Sequence, residues 1–189
     1  MQRFVFLEFT DQRLRMFLED LRDALQDQPA AKLPIHITIR GPYSDEPKSS
    51  LIQDLEESLQ GYGVVIGGAG TFKTKEGYAV YLRAQSPVFQ ELWWKPDFPE
   101  VKPHLTIFET TKKKAARMVE VFLRSERIQI FTFALKVRVY TSRQRDLFEN
   151  FPSDKSRFSK FGPPTAKWHI KPGLIERARK LRNESGIKS

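Results

Sequence analysis

"HITIRG" occupies residues 36–41 and "HLTIFE" residues 104–109. Two of the three histidines in this 189-residue chain therefore open one short pattern: His, apolar, Thr, apolar. A strand sends alternate side chains to opposite faces. In the first stretch Ile35, Ile37 and Ile39 share a face suited to a core, and His36, Thr38 and Arg40 share the other. In the second, Leu105 and Ile107 turn inward, while His104, Thr106 and Phe108 turn outward. Each strand sets an imidazole and a hydroxyl roughly 7 Å apart on one polar face, so that a single phosphate could bridge them. A lone histidine on a strand is usually structural. Two of three in this pattern arise by chance on the order of once in a thousand, so the pair reads as functional.

The residue types suit phosphodiester chemistry. Cleavage needs a base to deprotonate the nucleophile and an acid to protonate the leaving oxygen. Histidine can do either near neutral pH. Hydroxyls and cations can hold the non-bridging oxygens as charge builds up. Two His and two Thr converging on one phosphorus would supply these groups without a metal.

The flanking sequence alternates strand and helix patterns. "RFVFLEF" (3–9) reads as a buried strand. Leu14, Phe17, Leu18, Leu21 and Leu25 form the apolar stripe of a helix over about 11–28, capped by Thr10 or Asp11. "PIHITIR" (34–40) is the next strand, followed by the loop "GPYSDEPKSS". Ser50 and Gln53 form a capping-box pattern ahead of a second helix bearing Leu51, Leu55 and Leu59, which Gly61 closes. Strands near 63–73 and 77–84 make a hairpin through "KTKEG". "SPVFQELWW" is a short helix with Trp93 and Trp94 packed at its end, and "KPDFPEVKP" a rigid link to the second His strand. A third helix, about 111–125, presents Ala115, Met118, Val119 and Phe122. One long strand, 128–141, sends Phe133, Leu135, Val137 and Val139 to the core and Lys136, Arg138 and Tyr140 to the other face. The remainder is polar and basic, with room for a hairpin or loop and a short helix near 173–184. The unit strand(His)–helix–strand appears twice, which predicts an α+β, pseudo-duplicated, two-lobed architecture over 1–142, with 143–189 a basic C-terminal extension.

Composition narrows the chemistry. The chain has no cysteine, which removes disulfides, thiol catalysis and thiolate metal sites. No paired-His spacing is present, so no metal is expected. The formal net charge is +9, and residues 167–189 alone carry seven Lys or Arg against two Glu. Such a balance favours anionic partners, nucleic acid first, although it also serves plain solubility. No run approaches a membrane span, and the start "MQRFVFLEFTDQ" is too short and too acidic for a signal peptide. A cytoplasmic monomer is the expectation.

On "HITIRGPY", "KPHLTIFE", Pro103 before the second His, and the strand–helix lead-in to each, the chain resembles the two-histidine (2H) phosphoesterase superfamily. That superfamily includes bacterial 2′-5′ RNA ligases and 2′,3′-cyclic phosphodiesterases. The resemblance covers roughly residues 1–142, with "VYTS" (139–142) as the closing strand. It implies antiparallel sheets lining a central groove with helices outside. It makes His36 and His104 the acid–base pair, Thr38 and Thr106 the phosphate-binding hydroxyls, and RNA or a small nucleotide the substrate, with no cofactor. It implies a metal-independent phosphodiesterase for 2′,3′-cyclic phosphate or 2′-5′ linkages, with possible reverse ligation. The alternatives are a module that binds RNA or a cyclic nucleotide without turnover, and a hydrolase of small 2′-5′ or cyclic oligonucleotide signals. Several bacterial relatives carry a basic residue just after the second motif, where this chain has Phe108 and Glu109. Phosphate binding is then expected to lean on Arg40 or on the last strand.

Further substrate contacts carry two readings each. Phe108 could stack a base or pack under the next helix. Arg40 could bind phosphate or a carboxylate at the groove wall. Tyr43 could line a base pocket or sit half-buried in a turn. Arg138 and Tyr140, with Lys136, could form a basic and aromatic wall or a solvated sheet face. Tyr81 and Arg83 raise the same question more weakly. His169, with no hydroxyl two residues on, reads as structural or surface.

Overall fold

A computed structural model describes residues 2–26, 33–95, 100–141 and 166–185. Two antiparallel sheets carry the architecture, which is α+β. The smaller sheet has the order β2-β1-β7, from β1 (Arg3–Phe9), β2 (His36–Tyr43) and β7 (Leu135–Thr141). The larger has the order β5-β4-β3-β6-β8, from β3 (Val64–Lys73), β4 (Tyr78–Gln85), β5 (His104–Thr110), β6 (Gln129–Thr132) and β8 (Ala166–His169). The two histidine strands, β2 and β5, are each an edge strand, and they pack against one another. One continuous apolar core joins both sheets: Val5, Leu7, Ile37 and Ile39 belong to the same cluster as Val80, Leu82, Leu105 and Ile107.

The helices cover this core. In α1 (Gln12–Leu25) the stripe Leu14, Leu18, Leu21, Leu25 is fully buried, and the Asp11 carboxylate accepts from the Leu14 amide at 3.1 Å, which makes Asp11 the cap. The expected extension of this helix to 28 lies outside the described residues. In α2 (Ser49–Leu59) the capping box does not form. Lys48 is the cap, Ser50 lies inside the helix, and Gln53 donates to Glu57 instead. A four-residue α3 (Phe89–Leu92) follows β4, and α4 (Lys113–Glu126) lies across β3, β4 and β5.

The expected long strand over 128–141 is two strands in different sheets. At the crossover Thr132 Oγ1 accepts from the Ala134 amide at 3.0 Å, and Ala134 C=O accepts from Thr10 N–H at 2.8 Å. This break interrupts the alternation, so Phe133 is 54 % exposed instead of joining the core with Val137. Of the expected closing strand, Ser142 lies outside the described residues.

The C-terminal part is built into the same body. β8 pairs with β6, and α5 (Leu174–Ser185) packs on α1 through buried Leu174 and Ala178. The Arg182 guanidinium donates to Gln26 C=O at 2.8 Å, and Trp168 meets Phe17 edge-on at 5.4 Å. His169 is exposed, opposite Gln129. Residues 142–165, the expected hairpin or loop of the extension, lie outside the described residues. No described helix is long and apolar enough to cross a membrane.

Candidate active site

Both motif histidines are held the same way. His36 Nδ1 lies 2.7 Å from Pro34 C=O, and His104 Nδ1 lies 2.8 Å from Lys102 C=O. A carbonyl only accepts, so each Nδ1 carries the proton, and Nε2 bears the lone pair in the neutral ring. In both cases the partner carbonyl is two residues upstream. Thr38 and Thr106 are half-buried, two positions on, and among the described residues neither hydroxyl has a partner within the chain.

Each motif strand also carries a bulge at the same place. Phe6 pairs with Thr38 and Val5 with Arg40, which leaves Ile39 as an extra residue. Tyr81 pairs with Thr106 and Val80 with Phe108, which leaves Ile107 extra. In β5 the burial pattern reverses beyond the bulge, whereas in β2 it continues unchanged through Arg40. Two expectations change. Phe108 is fully buried in the core beside Ile107, so it does not share the His104 face and cannot stack a base. Arg40 keeps the burial alternation of His36 and Thr38 but is not free beside them. Its guanidinium donates to Leu92 C=O at 2.8 Å and Glu91 C=O at 3.0 Å, clamping the end of α3 instead of standing free beside His36.

The His36 half is floored by β1. Read alternately, "RFVFLEF" turns Val5, Leu7 and Phe9 into the core and leaves Phe4, Phe6 and Glu8 on the opposite face. The Phe6 ring stacks on His36 at 3.8 Å and on Tyr140 at 5.0 Å. Glu8 stands opposite His36 on one side and Lys136 on the other. Its carboxylate accepts from the Tyr140 hydroxyl and faces Lys136 Nζ at 3.6 Å and Arg138 Nε at 3.7 Å. Lys136, Arg138 and Tyr140 therefore share one face, gathered around an acid that the sequence analysis does not single out. The available signal is a single Glu inside the otherwise apolar run 4–9.

The His104 half is built on β4 and β3. Tyr81 lies 5.1 Å from the His104 ring, and Phe72 also 5.1 Å. Gly70 makes this possible, because a Cβ there would lie 2.6 Å from Tyr81 Cζ. Burial in this aromatic corner pushes the His104 pKa below the ordinary imidazole value. The Lys95 charge adds to the effect, and the Lys102 carbonyl opposes it.

Tyr43 is half-buried and stacks on Trp94 at 5.0 Å. Trp94 is not packed at the helix end as expected. It is 45 % exposed and bridges to Arg40, extending the edge of β2. Tyr43 also borders a surface pocket of about 320 Å³ formed with the loop before α2, and neither motif histidine lines it. Among the described residues, no group of three or more His, Asp or Glu side chains is placed to hold a metal ion.

With this geometry stands a sequence comparison. A family model described as "2′-5′ RNA ligase superfamily" matches residues 10–139. The chain belongs to the 2′-5′ RNA ligase superfamily. The match contains both His-x-Thr motifs and both bulges, and it agrees with the two-histidine resemblance. β8 and α5 lie beyond it. No curated protein matches the chain.

Proposed function

We propose that this member of the 2′-5′ RNA ligase superfamily is a metal-independent phosphodiesterase acting on RNA-type 2′,3′-cyclic phosphate or 2′-5′ linkages. The observation that carries the reading is the matched pair of imidazoles. Both donate Nδ1–H to a main-chain carbonyl two residues upstream, on neighbouring edge strands. The shared clamp and the shared bulge also support a pseudo-duplicated fold whose two lobes meet at a groove.

In this mechanism His36 and His104 are the acid–base pair, and Thr38 and Thr106 hold the non-bridging oxygens. His104 takes the base role because its environment favours the neutral ring. His36, opposite the Glu8 carboxylate, takes the acid role. The base removes a proton from water, the oxygen attacks phosphorus, and the bond to one ribose oxygen breaks. The acid protonates that oxygen, leaving a phosphomonoester and a free hydroxyl. Arg138 and Tyr140 flank the His36 side across β1, and Tyr43 stands at the far end of β2 beside Trp94.

The test is an RNA ending in 2′,3′-cyclic phosphate, incubated in EDTA with wild type, His36→Ala and His104→Ala. Ring opening by wild type alone supports the reading and identifies the phosphate isomer. Full activity in either variant sinks the mechanism. Inactivity on both cyclic and 2′-5′ substrates, with tight RNA binding, would instead favour a binding module.

A further inference from the structure

The cations that the sequence offers for phosphate binding are largely committed elsewhere. Arg40 clamps the α3 carbonyls, and Lys136 and Arg138 surround Glu8. All three belong to the three-stranded sheet, the His36 half. Phe108 and Glu109 supply no cation after the second motif. A phosphate lying between two histidines needs positive charge on the other side as well, because its charge grows as the nucleophile adds.

Arg83 meets that need. In the β4–β5 register it stands directly opposite His104, two residues from Tyr81 opposite Thr106. Directly opposed residues share a face and hold their Cβ atoms about 5 Å apart. Arg83 is exposed, and among the described residues it makes no hydrogen bond or ion pair. Its neighbour on the other side, in β3, is Gly67, which carries no side chain to cover it. A Cβ on the adjacent Gly68 would touch nothing within 4 Å. An exposed arginine with open space around it and no acid partner is available to an anion placed beside His104.

We infer that Arg83 is a substrate-binding residue that holds the phosphate beside His104 through paired guanidinium hydrogen bonds. The inference rests on the two-histidine reading above. It adds the anion contact that the motif itself lacks in this half of the site.

The test uses the full chain, with inorganic phosphate and adenosine 2′,3′-cyclic phosphate as probes. Phosphate binding is read from the His104 ring resonances, and kcat and KM from ring opening. Arg83→Gln should weaken phosphate binding by about tenfold or more and raise KM. Arg83→Lys should restore part of this. Arg117→Gln, an exposed change on α4, should leave both unchanged and so controls for loss of one charge. Equal binding by Arg83→Gln and wild type would overturn the inference, as would a wild type whose His104 does not respond to phosphate. A wild type that binds phosphate through Arg83 but turns over no substrate would sink the hydrolase reading and leave Arg83 in place.

Discussion

The His36 ring lies flat on the Phe6 ring, with centroids 3.8 Å apart and planes 13° apart. Phe6 is itself only 6 % exposed, and Tyr140 supports it from β7. The main-chain bond from Nδ1 fixes one edge of the imidazole, and Phe6 fixes its plane. Together they restrict where Nε2 points. Phe6→Leu keeps an apolar group there but removes the flat support. The expected result is a stability loss of about 1 kcal/mol, read by thermal unfolding. The same variant should lose about tenfold in kcat on a 2′,3′-cyclic nucleotide, because the acid is less well aimed. An unchanged kcat would show that His36 is aimed without help from the Phe6 ring.

His104 shares the main-chain clamp but sits in the Phe72–Tyr81 corner instead of on a flat ring, and that difference is titratable. Its folded-state pKa is depressed, chiefly by burial. The acid limb of kcat/KM should therefore lie below the ordinary imidazole value. For stability the sign is the same: the unfolded state takes up the proton first. Stability falls as pH drops from the ordinary imidazole value to the depressed one, then stops changing on this account. Gly70→Ala pushes the Tyr81 ring aside and admits water to His104. Its His104 resonance, followed by NMR, should titrate at higher pH than in wild type. An identical titration curve would mean that Tyr81 does not shield the ring.

The sequence carried the strand alternation around each His-x-Thr, the α1 stripe and the β3–β4 hairpin, because each follows from a local period. It did not carry the two bulges. Ile39 and Ile107 look like ordinary strand residues, and only pairing with β1 and β4 makes them extra. Phe108 therefore lies in the core instead of beside His104, while Arg40 directs its guanidinium to the α3 carbonyls. The break at Phe133–Ala134 was hidden for a similar reason: the apolar run continues while the partner strand changes. Glu8 was overlooked because its three partners lie well over a hundred residues away in the chain.

Glu8 is a nearly buried acid on the face that includes His36, and its value is testable by charge alone. Its partners Lys136 and Arg138 are 38 % and 56 % exposed in their side chains, so water weakens both attractions. Glu8→Gln retains an acceptor for Tyr140 and loses the charge. It should cost about 1 kcal/mol in urea unfolding at low salt, and less as salt rises. Glu8→Ala should cost more, since the Tyr140 hydroxyl then loses its acceptor. Equal stability of Glu8→Ala and wild type would rule out Glu8 as the organiser of this sheet face.

A second acid ties the C-terminal helix to the matched region. Glu126, 7 % exposed at the end of α4, receives two hydrogen bonds from Arg177 of α5, at 2.9 and 2.6 Å. These bonds hold its carboxyl below the usual carboxylate range, against the opposing effect of burial. The contribution to stability is then complete above the unfolded carboxyl value and is lost as pH falls through the lower, folded one. Arg177→Gln should remove that acid-sensitive step. It should also speed amide hydrogen exchange across 174–185 at neutral pH, while exchange in β1 and β4 stays slow. Uniform acceleration throughout the chain would instead mean that α5 and both sheets unfold as one unit, making the C-terminal helix part of the cooperative core.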